Sequence, residues 1–234
     1  MFFYKFCFYF MLFLIYSIAG WIMEVIVVAH EKKKFINRGF FIGPYCPIYG
    51  FSAVIMTFIL GKYQDDPFAL FILAMVICTF FEYVTGFIME KLFKARWWDY
   101  SNKTFNINGR VCLENSVIFG VLGCVVIMWV NPLLESLLSM IPENLLIYIS
   151  SVLLIAFLID NIVSFKIISK FSSYFSSEGK DNTEEINEKV KDTFKKKSFF
   201  NKRLFEAFPN VKSILPEIKA KYEEQKRKLK EKIR

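Results

Sequence analysis

Long apolar runs dominate this chain, and their spacing predicts five membrane-spanning helices. About 20 consecutive apolar residues are needed for a helix to cross the hydrocarbon core of a bilayer. The first run, from Phe6 to Ala29, contains a single charged residue, Glu24. Together the apolar runs predict spans at about 6–29, 40–60, 68–89, 111–130 and 145–165. We therefore expect an all-α, polytopic membrane protein.

The second run begins with a stretch that cannot form a regular helix. Residues 39–50 read GFFIGPYCPIYG, with three glycines and two prolines. The helix proper is expected to begin near Pro47, which suits a first helical turn, and to run to Leu60. Either the preceding Gly39–Cys46 stretch dips into the membrane, or the helix is simply kinked at its entry. The residues of this broken-helix motif are Gly43, Pro44, Tyr45, Pro47 and Gly50.

The distribution of cations predicts the orientation of the chain, because loops on the cytoplasmic side carry an excess of lysine and arginine. Four cations follow the first span and five follow the third, whereas the opposite side carries only Lys5 and Lys62. The loop expected at 131–143 contains no lysine or arginine. This alternation places the N-terminus outside and the C-terminus in the cytoplasm.

Carboxylates lie at a similar depth in four of the predicted spans. Glu24, Glu82, Glu114 and Asp160 all fall within roughly 11 Å of the inner membrane boundary, at 1.5 Å of helix rise per residue. Ionisable residues are rare in membrane spans and mark functional sites there. Arg110 precedes Glu114 by four residues and is expected to pair with it.

The stretch 81–116, between the third and fourth spans, adds further polar residues to this picture. Glu82, Gly86 and Glu90 share one helical face. Trp97 and Trp98 are expected to anchor the chain at the membrane interface, in preference to stacking on a ligand. We predict one polar site at the cytoplasmic side, composed of Glu24, Glu82, Glu90, Asp99, Arg110, Glu114 and Asp160.

The C-terminal part has a different composition. Residues 178–234 hold 17 Lys and Arg against 11 Asp and Glu, a net charge of +6. This predicts two regions: a transmembrane domain at 1–175, and a basic, helical cytoplasmic tail at 176–234 that could meet anionic lipid or a partner. No nucleic-acid motif accompanies the charge. The five cysteines show no metal-binding spacing, and we expect neither a metal nor a cofactor.

Several blocks resemble a bacterial family described as putative ABC-transporter type IV, or permease-like, membrane proteins. They are GPYCPIYG at 43–50, RWWDYS at 96–101 and FNINGRVCLENS at 105–116, together with the glutamates Glu82 and Glu90. The resemblance covers about residues 5–165 and implies a transport role in the bacterial cytoplasmic membrane. It carries over no catalytic residues. The chain has no GxxxxGK[ST] phosphate loop, so an ATPase would have to be a partner subunit.

Three functions are compatible with these patterns. The first is a permease-like subunit that works as an oligomer among membrane lipids, supported by the broken segment and the intramembrane carboxylates. The second is a membrane-embedded enzyme that acts on a lipid-linked substrate, with Glu82, Glu90, Asp99 and Glu114 as acid/base groups. The third is a scaffold or regulator that recruits partners through its tail. The absence of a recognisable nucleophile or metal motif favours the first.

Overall fold

The computed structural model describes residues 2–37, 39–93, 95–178 and 212–213. The predicted tail helices lie outside the described residues. Within the described residues the chain is helical almost throughout. The helices are α1 (Phe2–Lys32), α2 (Pro47–Leu60), α3 (Pro67–Phe93), α4 (Leu113–Val125), α5 (Asn131–Ser139) and α6 (Glu143–Glu178). The short strands are β1 (Ala95–Arg96), β2 (Asn106–Ile107), β3 (Val111–Cys112) and β4 (Lys212–Ser213).

Four apolar helices of the described chain are long enough to cross a membrane. They cover Phe2–His30, Pro67–Phe93, Leu113–Ser139 and Glu143–Ser169, and a shorter apolar helix covers Pro47–Tyr63. The predicted all-α class with about five helices is therefore confirmed. The start of α2 at Pro47 and its end at Leu60 also agree with the prediction.

The helix of the fourth predicted span extends further than residue 130. We expected a loop from Asn131, but the helix continues through Pro132 to Ser139. A π-helical segment, Val126–Val130, joins α4 to α5 and makes this possible. There the Asn131 N–H bonds to the Val126 carbonyl, five residues back. The wider turn accommodates a proline, which has no N–H and would crowd a regular α-helix.

This π segment leaves one backbone carbonyl to be satisfied from elsewhere. The Ile127 carbonyl could receive a π-type bond only from residue 132, which is proline. Instead, the Gln64 side-chain amide donates to it at 3.1 Å from the turn after α2. The bundle thus supplies a side chain where the helix cannot supply a backbone donor.

The structure divides into two compact units. The first contains Met1–Thr85 and Tyr100–Phe165; the second contains Gly86–Asp99 and Lys166–Arg234. In the first unit α1 and α2 pack antiparallel around Leu12 and Ala53, and the α4–α5 helix contacts α2 and α3. In the second unit β1 pairs antiparallel with β4.

The tight contact between α1 and α2 depends on a glycine. A side-chain carbon placed on Gly50 would overlap the Phe13 carbonyl oxygen and the Ser17 hydroxyl of α1. Small residues at such crossings let the helix backbones approach closely, which is how helices associate in lipid. Gly61, at the end of α2, has no neighbouring atom within 4 Å of such a carbon.

We therefore predict that Gly50→Ala separates α1 from α2 and lowers the free energy of unfolding by about 1–3 kcal/mol. Gly61→Ala is the matched control, because its backbone is already helical and its surroundings are open. It should be neutral or slightly stabilising. Thermal unfolding of the purified protein in detergent measures both. Equal melting temperatures for the two variants would contradict this account of the α1–α2 contact.

Candidate functional site

The non-helical Gly39–Cys46 stretch is held by two side chains of α6. On α6, the Asp160 carboxylate accepts hydrogen bonds from the N–H groups of Ile42 at 3.2 Å and Gly43 at 2.9 Å, and from the Tyr45 hydroxyl. Ser164 donates to the same carboxylate at 2.8 Å and also accepts from the Ile42 N–H. One carboxylate thus replaces the hydrogen bonds that a helix would have given this stretch.

The other end of the stretch is fixed to α1, and from there α2 begins. The Cys46 N–H donates to the Ser17 carbonyl at 2.9 Å, and Pro47 then starts the helix. One turn later, the Tyr49 ring lies against Gly20, where a larger residue would collide with it. The Tyr49 hydroxyl reaches the Glu24 carboxylate at 2.7 Å. The broken motif therefore aims a tyrosine at a glutamate within the bundle.

A second glutamate–tyrosine pair joins α3 to the loop after it. Glu82 is only 7% exposed, and the Tyr100 hydroxyl donates to its Oε1 at 3.2 Å. Its Oε2 makes no hydrogen bond of normal geometry in the described part of the chain, but the Asn115 side chain lies beside this carboxylate. One turn earlier, Thr79 donates to Ser116 of α4 at 2.8 Å, which ties α3 to α4 beside the glutamate. Glu82 is thus a buried carboxylate that lies beside the Tyr100 hydroxyl and the Asn115 side chain.

The two pairs belong to one cluster. Burial raises the pKa of the Tyr100 hydroxyl above its ordinary value, and the nearby Glu82 and Glu24 carboxylates raise it further. Tyr100 therefore stays a neutral donor under ordinary conditions. The Glu24 carboxylate lies within electrostatic range of both Tyr100 and Tyr49. We call the four residues Glu24, Tyr49, Glu82 and Tyr100 the carboxylate–tyrosine cluster.

The loop from Tyr100 to Cys112 forms a hairpin beside this cluster. Strands β2 and β3 pair antiparallel, and Asn108 and Gly109 turn the chain with positive φ angles of 54° and 68°. The Asn108 amide and the Arg110 guanidinium both donate to the Tyr83 hydroxyl, at 2.9 and 3.1 Å. Tyr83 follows Glu82 directly on α3, so adjacent residues of this helix contact Tyr100 at the start of the loop and Asn108 in its turn.

Arg110 and Glu114 differ from the expected arrangement in their surroundings. The Glu114 side chain is 60% exposed and pairs with Lys103 at 2.7 Å. This hydrogen bond raises the pKa of the Lys103 amine. The Arg110 guanidinium instead lies over the Tyr83 ring, 5.2 Å from its centre. Glu114 therefore stands outside the buried part of the cluster.

Two predicted site residues, Glu90 and Asp99, lie on either side of Arg96 in the second unit. Arg96 forms a 2.8 Å ion pair with Glu90, which is 5% exposed, and lies 3.7 Å from Asp99. Trp97 is 5% exposed and packs edge-on against Phe93 of α3, with ring centres 6.1 Å apart. Its ring is enclosed by protein, whereas that of the neighbouring Trp98 is half-buried.

A polar group that the sequence did not reveal surrounds the π segment. The buried Asn131 side chain accepts from the Tyr16 and Thr57 hydroxyls, each at 3.1 Å, and donates to Glu135 at 2.9 Å. We expected residues 131–143 to form an acidic loop without lysine or arginine, so Asn131 was not expected inside a helix. The useful signal was the apolar spacing of Leu133, Leu134, Leu137 and Leu138 beyond the proline.

Four apolar helices long enough to cross a membrane define a multi-pass membrane protein. The chain belongs to the family described as putative ABC-transporter type IV, whose sequence model matches residues 11–165. The family resemblance of the sequence blocks is thereby confirmed. Comparison with curated proteins and with solved structures gave no significant match.

The hydrogen bonds of Asp160 generate a prediction for the Gly39–Cys46 stretch. Asp160→Ala should leave the Ile42 and Gly43 amides without their carboxylate acceptor, at a cost of about 1–3 kcal/mol for each amide that stays buried. Hydrogen–deuterium exchange at residues 42 and 43 should then accelerate. Asn161→Ala is the control, because the Asn161 amide bonds to the Phe157 carbonyl of its own helix. Unchanged exchange in Asp160→Ala would show that the stretch is held by other contacts.

Proposed function

We propose that the chain is a permease-like subunit of a bacterial cytoplasmic-membrane transporter, with the carboxylate–tyrosine cluster as its polar site. The observation that carries the proposal is Glu82. It is buried within a membrane-spanning helix and bonded to Tyr100, and its second carboxylate oxygen makes no hydrogen bond of normal geometry in the described residues. Ionisable groups at such positions mark substrate or ion pathways, since burying them without a function is costly.

The broken helix supports the same proposal. In many transporters, binding sites are formed where helices are interrupted and side chains replace the missing backbone bonds. Here the interruption before α2 ends one turn from Tyr49, which donates to Glu24 of the cluster. The motif and the cluster are therefore parts of one local structure.

Energy for transport would come from a separate subunit in this proposal. The 234 residues contain no GxxxxGK[ST] loop for binding nucleotide phosphates. The family description supports association with an ATPase partner. Exposed apolar side chains along α3, α4 and α6 leave ample surface for lipid, for a second copy of the chain or for that partner. The basic residues 178–234 would lie in the cytoplasm and add affinity for anionic lipid.

The proposed orientation places the hairpin and the cluster on the cytoplasmic side. It rests on the loop cations, of which Lys103 and Arg110 belong to the hairpin. We predict that a cysteine introduced at the exposed Asn102 reacts with an impermeant maleimide only in inverted vesicles. A cysteine at Asp65, in the turn after α2, should react only in intact cells. The unsubstituted protein gives the background of the native thiols. The reverse pattern at the two sites would overturn the orientation.

The role of the cluster is tested by Glu82→Gln, which keeps the shape of the side chain and removes its charge. The variant should fold with a stability within about 1 kcal/mol of the parent, since an amide oxygen can still accept from Tyr100. It should nevertheless fail to rescue the defect of a strain that lacks the gene. Folded yield is measured by gel filtration of the detergent-solubilised protein.

Glu114→Gln is the matched control for this experiment. It makes the same chemical change at a glutamate that is exposed and paired with Lys103, close to the start of α4. Glu114→Gln should fully rescue the defect of the strain that lacks the gene. If Glu82→Gln rescues it equally well, the cluster is a structural feature and not the site of transport. If metal-dependent turnover of a lipid-linked substrate is found instead, the protein is an enzyme.

A further inference from the structure

The hairpin between Tyr100 and Cys112 lies close to the point where a membrane-spanning helix begins. Its register pairs Ile107 with Val111, and α4 starts two residues later at Leu113. Antiparallel partners have Cα atoms about 4.5–5.5 Å apart. Ile107 is therefore held within a few ångströms of the chain that enters the membrane, although it precedes Leu113 by six residues.

One strand of this hairpin is buried while its outer residues are exposed. Val111 and Cys112 are 2% and 1% exposed, and they hold the hairpin against the bundle. In contrast, Phe105 is 76% exposed and Ile107 is 57% exposed. Two large apolar side chains thus project from the hairpin next to the start of a membrane-spanning helix. Membrane-surface elements present their apolar residues to the bilayer in this way.

The backbone of Phe105 adopts an unfavourable conformation. Its φ angle of 51° lies in the left-handed region, which disfavours a bulky side chain. Asn106 stabilises this conformation: its amide donates to the Lys103 carbonyl at 2.9 Å, and its oxygen accepts from the Gly109 N–H at 3.0 Å. Strain that the surroundings maintain is a reason to look for a function of the strained residue.

The charge of the hairpin selects the kind of surface that it fits. Residues 100–114 contain Lys103, Arg110 and the exposed Glu114 that pairs with Lys103, a net charge of +1. The Lys103 side chain is 53% exposed and reaches the edge of the hairpin at Glu114. Cations flanking exposed apolar side chains match the headgroup layer of an anionic bilayer.

We propose that the exposed edge of this hairpin, comprising Lys103, Phe105 and Ile107, inserts into the headgroup layer of anionic phospholipid. Phe105 and Ile107 enter the boundary between headgroups and acyl chains, while Lys103 stays at the phosphate level. The inference concerns the lipid contact of the hairpin and does not depend on transport. It assigns lipid as the partner of Phe105 and Ile107, which do not belong to the carboxylate–tyrosine cluster.

The test uses full-length protein in nanodiscs of phosphatidylcholine, with or without phosphatidylglycerol. A polarity-sensitive fluorophore is attached to Phe105→Cys, to Ile107→Cys in a second variant, and to Asn102→Cys as the control. Asn102 is an exposed polar residue of the same loop. The unsubstituted protein gives the background from native thiols. Each labelled variant is then exposed to iodide in the water and to nitroxide-labelled phospholipid.

The proposal expects lipid nitroxide to quench the labels at 105 and 107 several-fold more strongly than the label at 102. Iodide should show the opposite order. Quenching by lipid nitroxide should be stronger in discs that contain phosphatidylglycerol than in discs that lack it. Lys103→Gln, combined with either labelled site, should reduce this ratio by about fivefold, the effect of one cation at an anionic surface.

Three outcomes would overturn the proposal. Equal access of iodide to all three labels would show that this edge lies in water. Protection of residues 105 and 107 from both quenchers would show that the edge is covered by protein, for example a second copy of the chain. Equal insertion in both kinds of nanodisc, with no effect of Lys103→Gln, would remove the assignment to anionic lipid.

Discussion

The requirement that every backbone N–H and C=O be hydrogen-bonded inside an apolar bundle governs this structure. An unsatisfied peptide group costs several kcal/mol where water is excluded, so helices are broken only where side chains can replace the lost bonds. Asp160 does this for the amides of Ile42 and Gly43, and Gln64 does it for the Ile127 carbonyl. Both irregularities are therefore tolerated because a polar side chain from another segment accompanies each of them.

These irregularities also place the polar side chains. The end of the Gly39–Cys46 stretch is bonded to Ser17, which fixes where α2 begins and how closely it approaches α1 at Gly50. That register brings the Tyr49 hydroxyl to Glu24. In the same way, the π segment turns Asn131 toward the Tyr16 and Thr57 hydroxyls. The geometry of these two polar groups, around Glu24 and around Asn131, therefore depends on a local departure from regular helix.

Much of the fold could be predicted from periodicity alone, but the partners of the polar residues could not. The apolar runs indicated the number of helices, and Pro47 indicated the start of α2. Glu82 was expected to face a neighbour from its position on α3, and it is buried. Its donor, Tyr100, lies in a loop whose path depends on tertiary contacts that one sequence does not encode locally. Asn131 was expected in an acidic loop, and the sequence gives no direct sign of a π segment.

The two halves of the carboxylate–tyrosine cluster differ in what would have to move to open them. The Tyr49–Glu24 pair lies between α1 and α2, whose backbones are in close contact at Gly50; separating them would disrupt the packed interface. The Tyr100–Glu82 pair depends on a hairpin that the Tyr83 hydroxyl fastens to α3, partly through an exposed hydrogen bond from Asn108. Exposed hydrogen bonds open at a much lower free energy than packed helix contacts, because water replaces them. Access to Glu82 is therefore expected to follow movement of the hairpin, while α1 and α2 stay together.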